Sequence, residues 1–310
     1  MSAATTPAPA QTQAPPVEPP RGIAGKVRTF LEAIKFEHTI FALPFAYLGM
    51  LLAARGAPSL GQFVWITVAM ASARTLAMAL NRLIDRQIDA RNPRTANRAL
   101  PRRLLSAVEM GTFALISAVI LTVAAWLLNP LCLKLLPGAV IVLVGYSYTK
   151  RFTWLSHAVL GLADALAPIG AWAAVTATIP LEALVLGFAV ATWIGGFDLL
   201  YACQDVEFDR AEGLHSVPAR FGIGAALSWA KLAHLLTIAS LVLVGVWTGL
   251  GVVYWVGVVI AAGLLVYEHS LLREDDLSKL DMAFFNVNGY IAVTLLVATG
   301  GDLAMQWLLS

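Results

Sequence analysis

The stretch from Gln62 to Asp89 reads QFVWITVAMASARTLAMALNRLIDRQID, and it indicates the fold class. As far as Leu80 it contains a single charged residue, Arg74. A helix needs an apolar segment of roughly this length, about 20 residues, to cross a bilayer. The stretch then turns polar and ends in two aspartates. It therefore predicts a transmembrane helix that carries carboxylates where it reaches the membrane face.

Similar apolar segments recur along the chain. Of the 310 residues, 59% are apolar and only 13% are charged, whereas a soluble domain has roughly 25% charged residues. The sequence therefore predicts an all-α polytopic membrane protein with about nine transmembrane helices. The predicted spans are 38–55, 62–85, 109–128, 131–149, 155–175, 181–204, 228–248, 250–270 and 284–308.

The charged residues exclude one class of protein and indicate a topology. With 21 basic and 19 acidic residues, the chain lacks the basic excess of a nucleic-acid-binding protein. Lys and Arg concentrate before the first span and after the second, fourth, sixth and eighth. The positive-inside rule therefore predicts a cytoplasmic N-terminus in an inner (cytoplasmic) membrane. Residues 1–22, rich in Ala and Pro, are expected to form a disordered tail before one transmembrane domain, 23–310.

Two predicted spans end in stripes of acidic and polar side chains that share one helix face. The first stripe is Asn81, Asp85 and Asp89, and the second is Asp198, Tyr201, Asp205 and Asp209. Carboxylates four residues apart repel each other, and the cost is greater near a membrane. Mg²⁺ takes one or two carboxylates and completes its shell with water and substrate phosphate. Two facing stripes would hold Mg²⁺ between them and bind a diphosphate.

A plainer interpretation of each stripe is a solvated, salt-bridged helix end, with Arg86 and Arg210 as the nearby partners. A salt-bridged helix end explains a single stripe as well as a bound metal ion does. It accounts less well for two matching stripes at equivalent helix ends.

Arg74 lies deeper in its span than the first stripe, and Asp198 is the deepest residue of the second stripe. Each precedes a stripe residue by seven positions, which places it about 10 Å further into the membrane. An Arg at the centre of a span is costly, so it needs a partner or a function. Either the two residues form a buried ion pair, or Arg74 receives a carboxylate of a substrate while Asp198 contacts a hydroxyl.

Further cationic and polar side chains follow the spans on the same side: Arg94, Arg98, Tyr146 and Lys150. They either contact phosphate oxygens or set the topology. The two cysteines and five histidines show no metal-ligand spacing and are expected to pack against neighbouring helices or lie at the membrane interface. They are Cys132, Cys203, His38, His157, His215, His234 and His269.

This ordered set of motifs resembles the UbiA superfamily of intramembrane prenyltransferases. The resemblance extends over about residues 28–308 and rests on three motifs. They are Asn81-x3-Asp85-x3-Asp89 with Arg94-Thr95-Ala96-Asn97-Arg98, Tyr146-x3-Lys150-Arg151, and Asp198-x2-Tyr201-x3-Asp205-x3-Asp209. It implies nine helices around a cavity that opens to lipid, and Mg²⁺-dependent transfer of a prenyl chain from its diphosphate to an aromatic acceptor.

The resemblance also implies roles for individual residues. The metal positions are Asn81, Asp85, Asp89, Asp205 and Asp209, and the diphosphate positions are Arg94, Arg98, Tyr146, Lys150 and Tyr201. Arg74 and Asp198 match positions that meet the aromatic acid. Many relatives have Asp after the first Asn, where this chain has Arg82, so the first metal cluster is expected to lack one carboxylate.

The sequence is compatible with two classes of aromatic acceptor. The stretch 198–222, together with Phe36-Glu37-His38-Thr39, resembles the branch linked to menaquinone made through futalosine. The candidates are thus 4-hydroxybenzoate and a dihydroxynaphthoate-type acid, for respiratory quinone synthesis. The alternative function is a transporter with an intramembrane Arg/Asp site. The motif of the phosphatidyl-alcohol transferases is not found in the sequence, and a structural scaffold would not retain so many buried charges at one depth.

Overall fold

The computed structural model describes residues 22–36 and 39–309, which are mainly α-helical. The helices are α1 (Gly22–Ala33), α2 (Thr39–Ala54), α3 (Leu60–Arg91), α4 (Ala107–Leu128), α5 (Pro130–Thr149), α6 (Ser156–Thr176), α7 (Leu181–Ala202), α8 (Val206–Ala211), α9 (Val217–Phe221), α10 (Ile223–Thr248), α11 (Val252–Ser270) and α12 (Asn288–Leu309). Of the predicted tail, all but Gly22 falls outside the described residues, as do Glu37 and His38.

The predicted all-α membrane architecture is confirmed. Within residues 22–36 and 39–309, eight helical segments are long and apolar enough to cross a bilayer. The shorter apolar helix α2 would be the ninth, which agrees with the predicted count of about nine. Large apolar side chains remain exposed along these helices, for example Trp126, Ile141 and Val259. An apolar exterior of this extent suits lipid rather than water.

Local sequence sets where the helices begin. Ser59 forms a capping box with Gln62 at the start of α3, and Ser106 forms one with Glu109 at the start of α4. Such boxes satisfy two of the free N–H groups at a helix start. Asn129 caps α5, whose first residue is proline, a favourable position because the missing N–H has no partner there.

The prediction of one continuous α-helical stripe at the end of the sixth span was wrong. Helix α7 ends at Ala202, a 3₁₀ turn covers Cys203–Asp205, and α8 then begins at Val206. Asp198 and Tyr201 therefore lie on α7, Asp205 ends the tighter turn, and Asp209 lies on α8. A 3₁₀ turn has about 3.0 residues per turn instead of 3.6, so the angles expected from a single helix do not apply.

Close helix packing places the elements around the central cavity. A Cβ on Gly161 of α6 would collide with the carbonyl oxygen of Ala191 on α7, and a Cβ on Gly49 of α2 would collide with Pro168 on α6. Small residues of this kind let membrane helices approach closely. Helices α2, α3, α5, α6 and α7 consequently converge, and most of the polar residues singled out in the sequence lie between them.

Candidate active site

A central cavity of about 730 Å³ opens among these helices. Its lining includes eleven of the twelve site residues predicted from the sequence. They are Arg74, Asn81, Asp85, Arg94, Arg98, Tyr146, Lys150, Asp198, Tyr201, Asp205 and Asp209. Residues from α3, the connection after it, α5, α7 and α8 therefore form one site, although up to 135 positions separate them in sequence (Arg74 to Asp209).

The twelfth residue, Asp89, is buried beside the cavity and is not part of its described lining. Its Oδ1 accepts a hydrogen bond of 2.7 Å from Nη1 of Arg98. Its backbone carbonyl accepts from the hydroxyl of Thr95. Asp89 thus links the polar connection 92–106 to the end of α3. Its ion pair with Arg98 holds that arginine at the cavity wall.

Asp85 is held by a basic residue that was not among the predicted partners. Its Oδ1 accepts from Nη2 of Arg151 at 2.8 Å, and its Oδ2 accepts from the amide of Asn81 at 2.9 Å. Arg86 is exposed, and the Nε of Arg210 donates to a backbone carbonyl. The plainer interpretation of the stripes named Arg86 and Arg210 as partners; Asp85 does have a salt bridge, but Arg151 forms it.

Arg82 occupies the position at which many relatives have Asp. It is buried, and its contacts are structural. Its Nε donates to the carbonyl oxygen of Ala33 on α1, and its Nη1 donates to the side-chain oxygen of Asn81 at 3.1 Å. The amide nitrogen of Asn81 donates to Asp85 and to the hydroxyl of Ser147, while its oxygen accepts from Arg82 and keeps a second lone pair.

The second acidic group is tied to the connection that follows α3. Arg94 forms a two-point ion pair with Asp205, from Nε at 3.0 Å and from Nη2 at 2.5 Å. Its guanidinium also lies over the ring of Tyr201. Burial alone would lower the pKa of Arg94, but the hydrogen bonds and charge of Asp205 raise it, and the net shift is upward. Arg94 is therefore a permanent cation at the cavity wall.

Asp209 and Lys150 complete this end of the cavity. The hydroxyl of Ser216, the N-cap of α9, donates to Asp209 at 2.8 Å. Lys150, at the end of α5, interacts electrostatically with both Asp85 and Asp209. The lysine thus stands between the two acidic groups. A cation between carboxylates from different helices limits their mutual repulsion.

Arg74 and Asp198 do not form the ion pair that was one of the two interpretations. Oδ2 of Asp198 instead lies 2.7 Å from Nδ1 of His157 on α6. The Nε of Arg74 is buried and has no hydrogen-bond partner among the described residues. Asp164, also on α6, lines the cavity and interacts electrostatically with Arg74. The pocket below the acidic groups therefore contains Arg74, Asp198, His157 and Asp164.

The sequence reasoning missed three of these residues. His157 was assigned to packing or to the interface, and nothing in its spacing indicates a partner 41 positions away. Arg151 belongs to a family motif, but the sequence predicts no partner for it. Asp164 carried a usable signal, because it is the one charged residue in the predicted span 155–175. An ionisable residue inside a span is by default a candidate for function.

A second, apolar cavity of about 220 Å³ adjoins the first. Small and apolar side chains of α3 to α6 form most of its wall, for example Ala73, Leu121 and Ala139. Arg74, Tyr146 and Asp164 belong to the linings of both cavities. The central cavity itself has six basic and five acidic residues in its lining. The combined space therefore suits a molecule with an anionic head and an apolar body.

Fold and cavities together define a polytopic membrane protein with a buried, charged site for an amphipathic substrate. Residues 42–290 match the sequence model of the UbiA prenyltransferase family. The chain belongs to this family and is a prenyltransferase. Membership favours an enzyme over the transporter considered from the sequence.

Curated relatives and solved structures agree with this assignment. A 4-hydroxybenzoate octaprenyltransferase of Vibrio cholerae is 32% identical over 295 residues, covering 92% of this chain and 99% of the relative. The apo structure of a UbiA homolog from Aeropyrum pernix K1 is 28% identical, covers 88% of this chain and 98% of that one, and superposes with a TM-score of 0.76. A UbiA homolog from Archaeoglobus fulgidus, solved with GPP and Mg²⁺, shares the fold at 18% identity, with a TM-score of 0.66 and coverage of 89% and 99%.

Proposed function

We propose that this protein transfers a polyprenyl chain from its diphosphate to the ring of an aromatic acid, with Mg²⁺ as cofactor, in respiratory quinone synthesis. The observation that carries the proposal is the meeting of Arg94, Lys150, Asp85 and Asp205 in one cavity above Arg74 and Asp198. The Vibrio cholerae relative, named for octaprenyl transfer to 4-hydroxybenzoate, supports the same reaction class.

The donor's diphosphate would lie at the polar end of the cavity. Arg94, Arg98 and Lys150 supply the positive charge, and Tyr146 and Tyr201 supply hydroxyl groups. Breaking the bond between the prenyl carbon and the diphosphate oxygen leaves negative charge on the diphosphate. Fixed cations that face this charge stabilise it as it develops. The apolar cavity beside Tyr146 gives part of the prenyl chain a dry wall.

The donor set fits a divalent metal that prefers oxygen. Asp85, Asp205 and Asp209 line the cavity, and with Asn81 and Asp89 they would hold Mg²⁺. Among the described residues no three His, Cys, Asp or Glu side chains gather as one ligand cluster. Each ion would thus have one or two protein carboxylates, with water and diphosphate as the other ligands, which is usual for Mg²⁺. When bound, Mg²⁺ supplies positive charge that neutralises the leaving diphosphate.

The acceptor would bind in the deeper pocket. Arg74 would bind its carboxylate, and Asp198, oriented by His157, would hold its hydroxyl. Breaking the bond to the diphosphate leaves an allylic cation, which the ring carbon next to that hydroxyl attacks. A carbon–carbon bond forms, and the proton of that ring carbon passes to the released diphosphate. Holding both reactants in place removes much of the entropic cost of the reaction. Water exclusion prevents hydrolysis of the allylic cation.

Two acceptor classes remain in the proposal, a 4-hydroxybenzoate-type acid and a dihydroxynaphthoate-type acid. The first agrees with the names of the curated relatives, and the second with the sequence around 198–222. We place the protein in the inner (cytoplasmic) membrane with its N-terminus and the polar end of the cavity on the cytoplasmic side, because Lys and Arg concentrate there.

The test uses membranes that contain the protein, incubated with MgCl₂, a prenyl diphosphate and each candidate acid. Mass spectrometry should detect an acid that has gained the prenyl group and lost one hydrogen. Membranes with the Asp205→Ala variant serve as the control. Absence of a prenylated product with every acid would overturn the proposal. Uptake of the acid into proteoliposomes without prenylation would support the transporter instead.

A further inference from the structure

Asp164 is a half-buried acidic residue to which the proposed reaction assigns no task. It lies on α6, in the lining of both cavities, within a span that has no other charged residue. Among the described residues it makes no hydrogen bond and no ion pair within 4.0 Å, and its interactions with Arg74 and Asp198 are only electrostatic. Inside a membrane an ionisable group without a bonded partner is costly and marks a candidate ligand site.

A purely structural task for Asp164 would be to neutralise Arg74. Arg and carboxylate side chains that serve this purpose usually meet in a close, often two-point, hydrogen-bonded pair, as Arg94 and Asp205 do in this protein. Arg74 and Asp164 do not meet, and the Nε of Arg74 is also without a partner among the described residues. Both groups therefore retain hydrogen-bonding capacity for a ligand in the cavity.

The arrangement of α6 sets the distance between Asp164 and the first carboxylate. His157, which holds Asp198, precedes Asp164 by seven residues, so both lie on one face of α6 and about 10 Å apart along its axis. Asp198 and Asp164 thus face the cavity at two depths. An axial offset of this size is comparable with the length of an aromatic ring that has hydroxyls at opposite positions and a hydrogen bond of about 2.7 Å at either end.

We infer that Asp164 binds a second hydroxyl of the acceptor, and that the preferred acceptor is therefore an aromatic acid with two hydroxyls at opposite positions of one ring. This inference rests on the proposed function. Arg74 accounts for the carboxylate, Asp198 for one hydroxyl and Asp164 for the other. An acid with a single hydroxyl leaves one carboxyl without that partner, and sites built to bind a hydroxyl discriminate strongly against analogues that lack it.

The test compares acids that differ by one hydroxyl. The native enzyme and the Asp164→Leu and Asp164→Asn variants are assayed with one prenyl diphosphate, 1,4-dihydroxy-2-naphthoate and its two mono-hydroxy analogues. The measured quantity is the ratio of kcat/KM for the dihydroxy acid to that for each analogue. We expect a ratio of about tenfold or more in the native enzyme. It should fall toward unity in Asp164→Leu and take an intermediate value in Asp164→Asn, whose amide oxygen still accepts a hydrogen bond.

Leu162→Asn is the matched control, since Leu162 lies on α6, is exposed and belongs to the lining of neither cavity; it should leave the ratio unchanged. Equal losses for all acids in both Asp164 variants would show a structural residue and overturn the inference. So would a native enzyme that uses the mono-hydroxy acids equally well. If the Asp164→Leu variant fails to fold, the kcat/KM ratio of the nearly isosteric Asp164→Asn variant is the test. No transfer to any acid would overturn the proposed function itself, and equilibrium binding of the three acids then tests whether Asp164 still discriminates among them.

Discussion

His157 donates a hydrogen bond to Asp198 across the interface of α6 and α7. Nδ1 and Oδ2 are 2.7 Å apart, and Nε2 of the same ring accepts the backbone N–H of Val217 at 3.4 Å. With the N–H of Val217 directed at Nε2, the ring presents its Nδ1 side to Asp198, which fits the tautomer whose proton is on Nδ1. The histidine thus fixes one oxygen of Asp198, and the other has no donor among the described residues.

Replacing His157 should impair use of the acceptor. Hydrogen bonds to charged groups contribute about 1.5–3 kcal/mol, so His157→Leu should lower kcat/KM for the aromatic acid about 10- to 100-fold. His157→Gln, which can still donate to Asp198, should restore part of it. Steady-state kinetics check this, and His215→Gln, an exposed histidine outside the cavity lining, is the control. Equal rates in the leucine variant and the native enzyme would refute a positioning role.

Replacing Arg74 should change the KM of the aromatic acid more than the KM of the prenyl diphosphate. In Arg74→Ala the KM for the aromatic acid should rise about tenfold or more, because the carboxylate loses its charged donor. The KM for the prenyl diphosphate should change less, since Arg94 and Lys150 remain. Kinetics with each substrate varied in turn measure both constants. A parallel rise in the two KM values would contradict the assignment of Arg74 to the acceptor.

Metal removal should stop the reaction. EDTA should abolish prenyl transfer, and excess Mg²⁺ should restore it, because the diphosphate leaving group loses most of its neutralising charge. Asp85→Ala and Asp205→Ala should each lower the rate about 100-fold or more, as losses of comparable charge-stabilising groups do. Glu212→Gln, which breaks the surface ion pair with Arg91, is a suitable control. Full activity of Asp205→Ala in EDTA would disprove a metal-dependent step.

Helix packing gives a stability prediction. In Gly161→Val the new side chain meets the backbone oxygen of Ala191, which cannot move aside without shifting α7. Overpacking of this kind costs about 1–3 kcal/mol, so the Tm of the detergent-solubilised protein should fall. Gly170→Ala, on the same helix but with open space at its Cβ position, should leave the Tm nearly unchanged. An unaltered Tm in the valine variant would show that the two helices can separate at low cost.

The sequence allows prediction of contacts within a helix far better than contacts between helices. Asn81 and Asp85 are four residues apart on α3, and the structure joins them as the periodicity predicts. Their partner Arg151 comes from the end of α5, 66 positions away, and only the crossing of the two helices brings it there. The same reason explains why His157 was missed.

The 3₁₀ turn at Cys203–Asp205 was unpredictable for a different reason. No Gly or Pro lies near it, and local pattern alone favours a continuous helix. The turn coincides with tertiary contacts that the local pattern does not reveal. Asn92 and Arg94, in the connection after α3, both donate hydrogen bonds to Asp205. Asp164 is the opposite case, since its charge within an apolar span was visible in the sequence.

The arginine pairs of the polar end have a consequence for folding. Asp85 pairs with Arg151, Asp89 with Arg98 and Asp205 with Arg94, so each of these three carboxylates has its own internal counter-ion. Proteins whose folding depends on a metal lack such compensation and unfold when a chelator removes the ion. The chain should therefore insert and fold without magnesium, and a chelator should inhibit the enzyme while leaving its melting temperature almost unchanged.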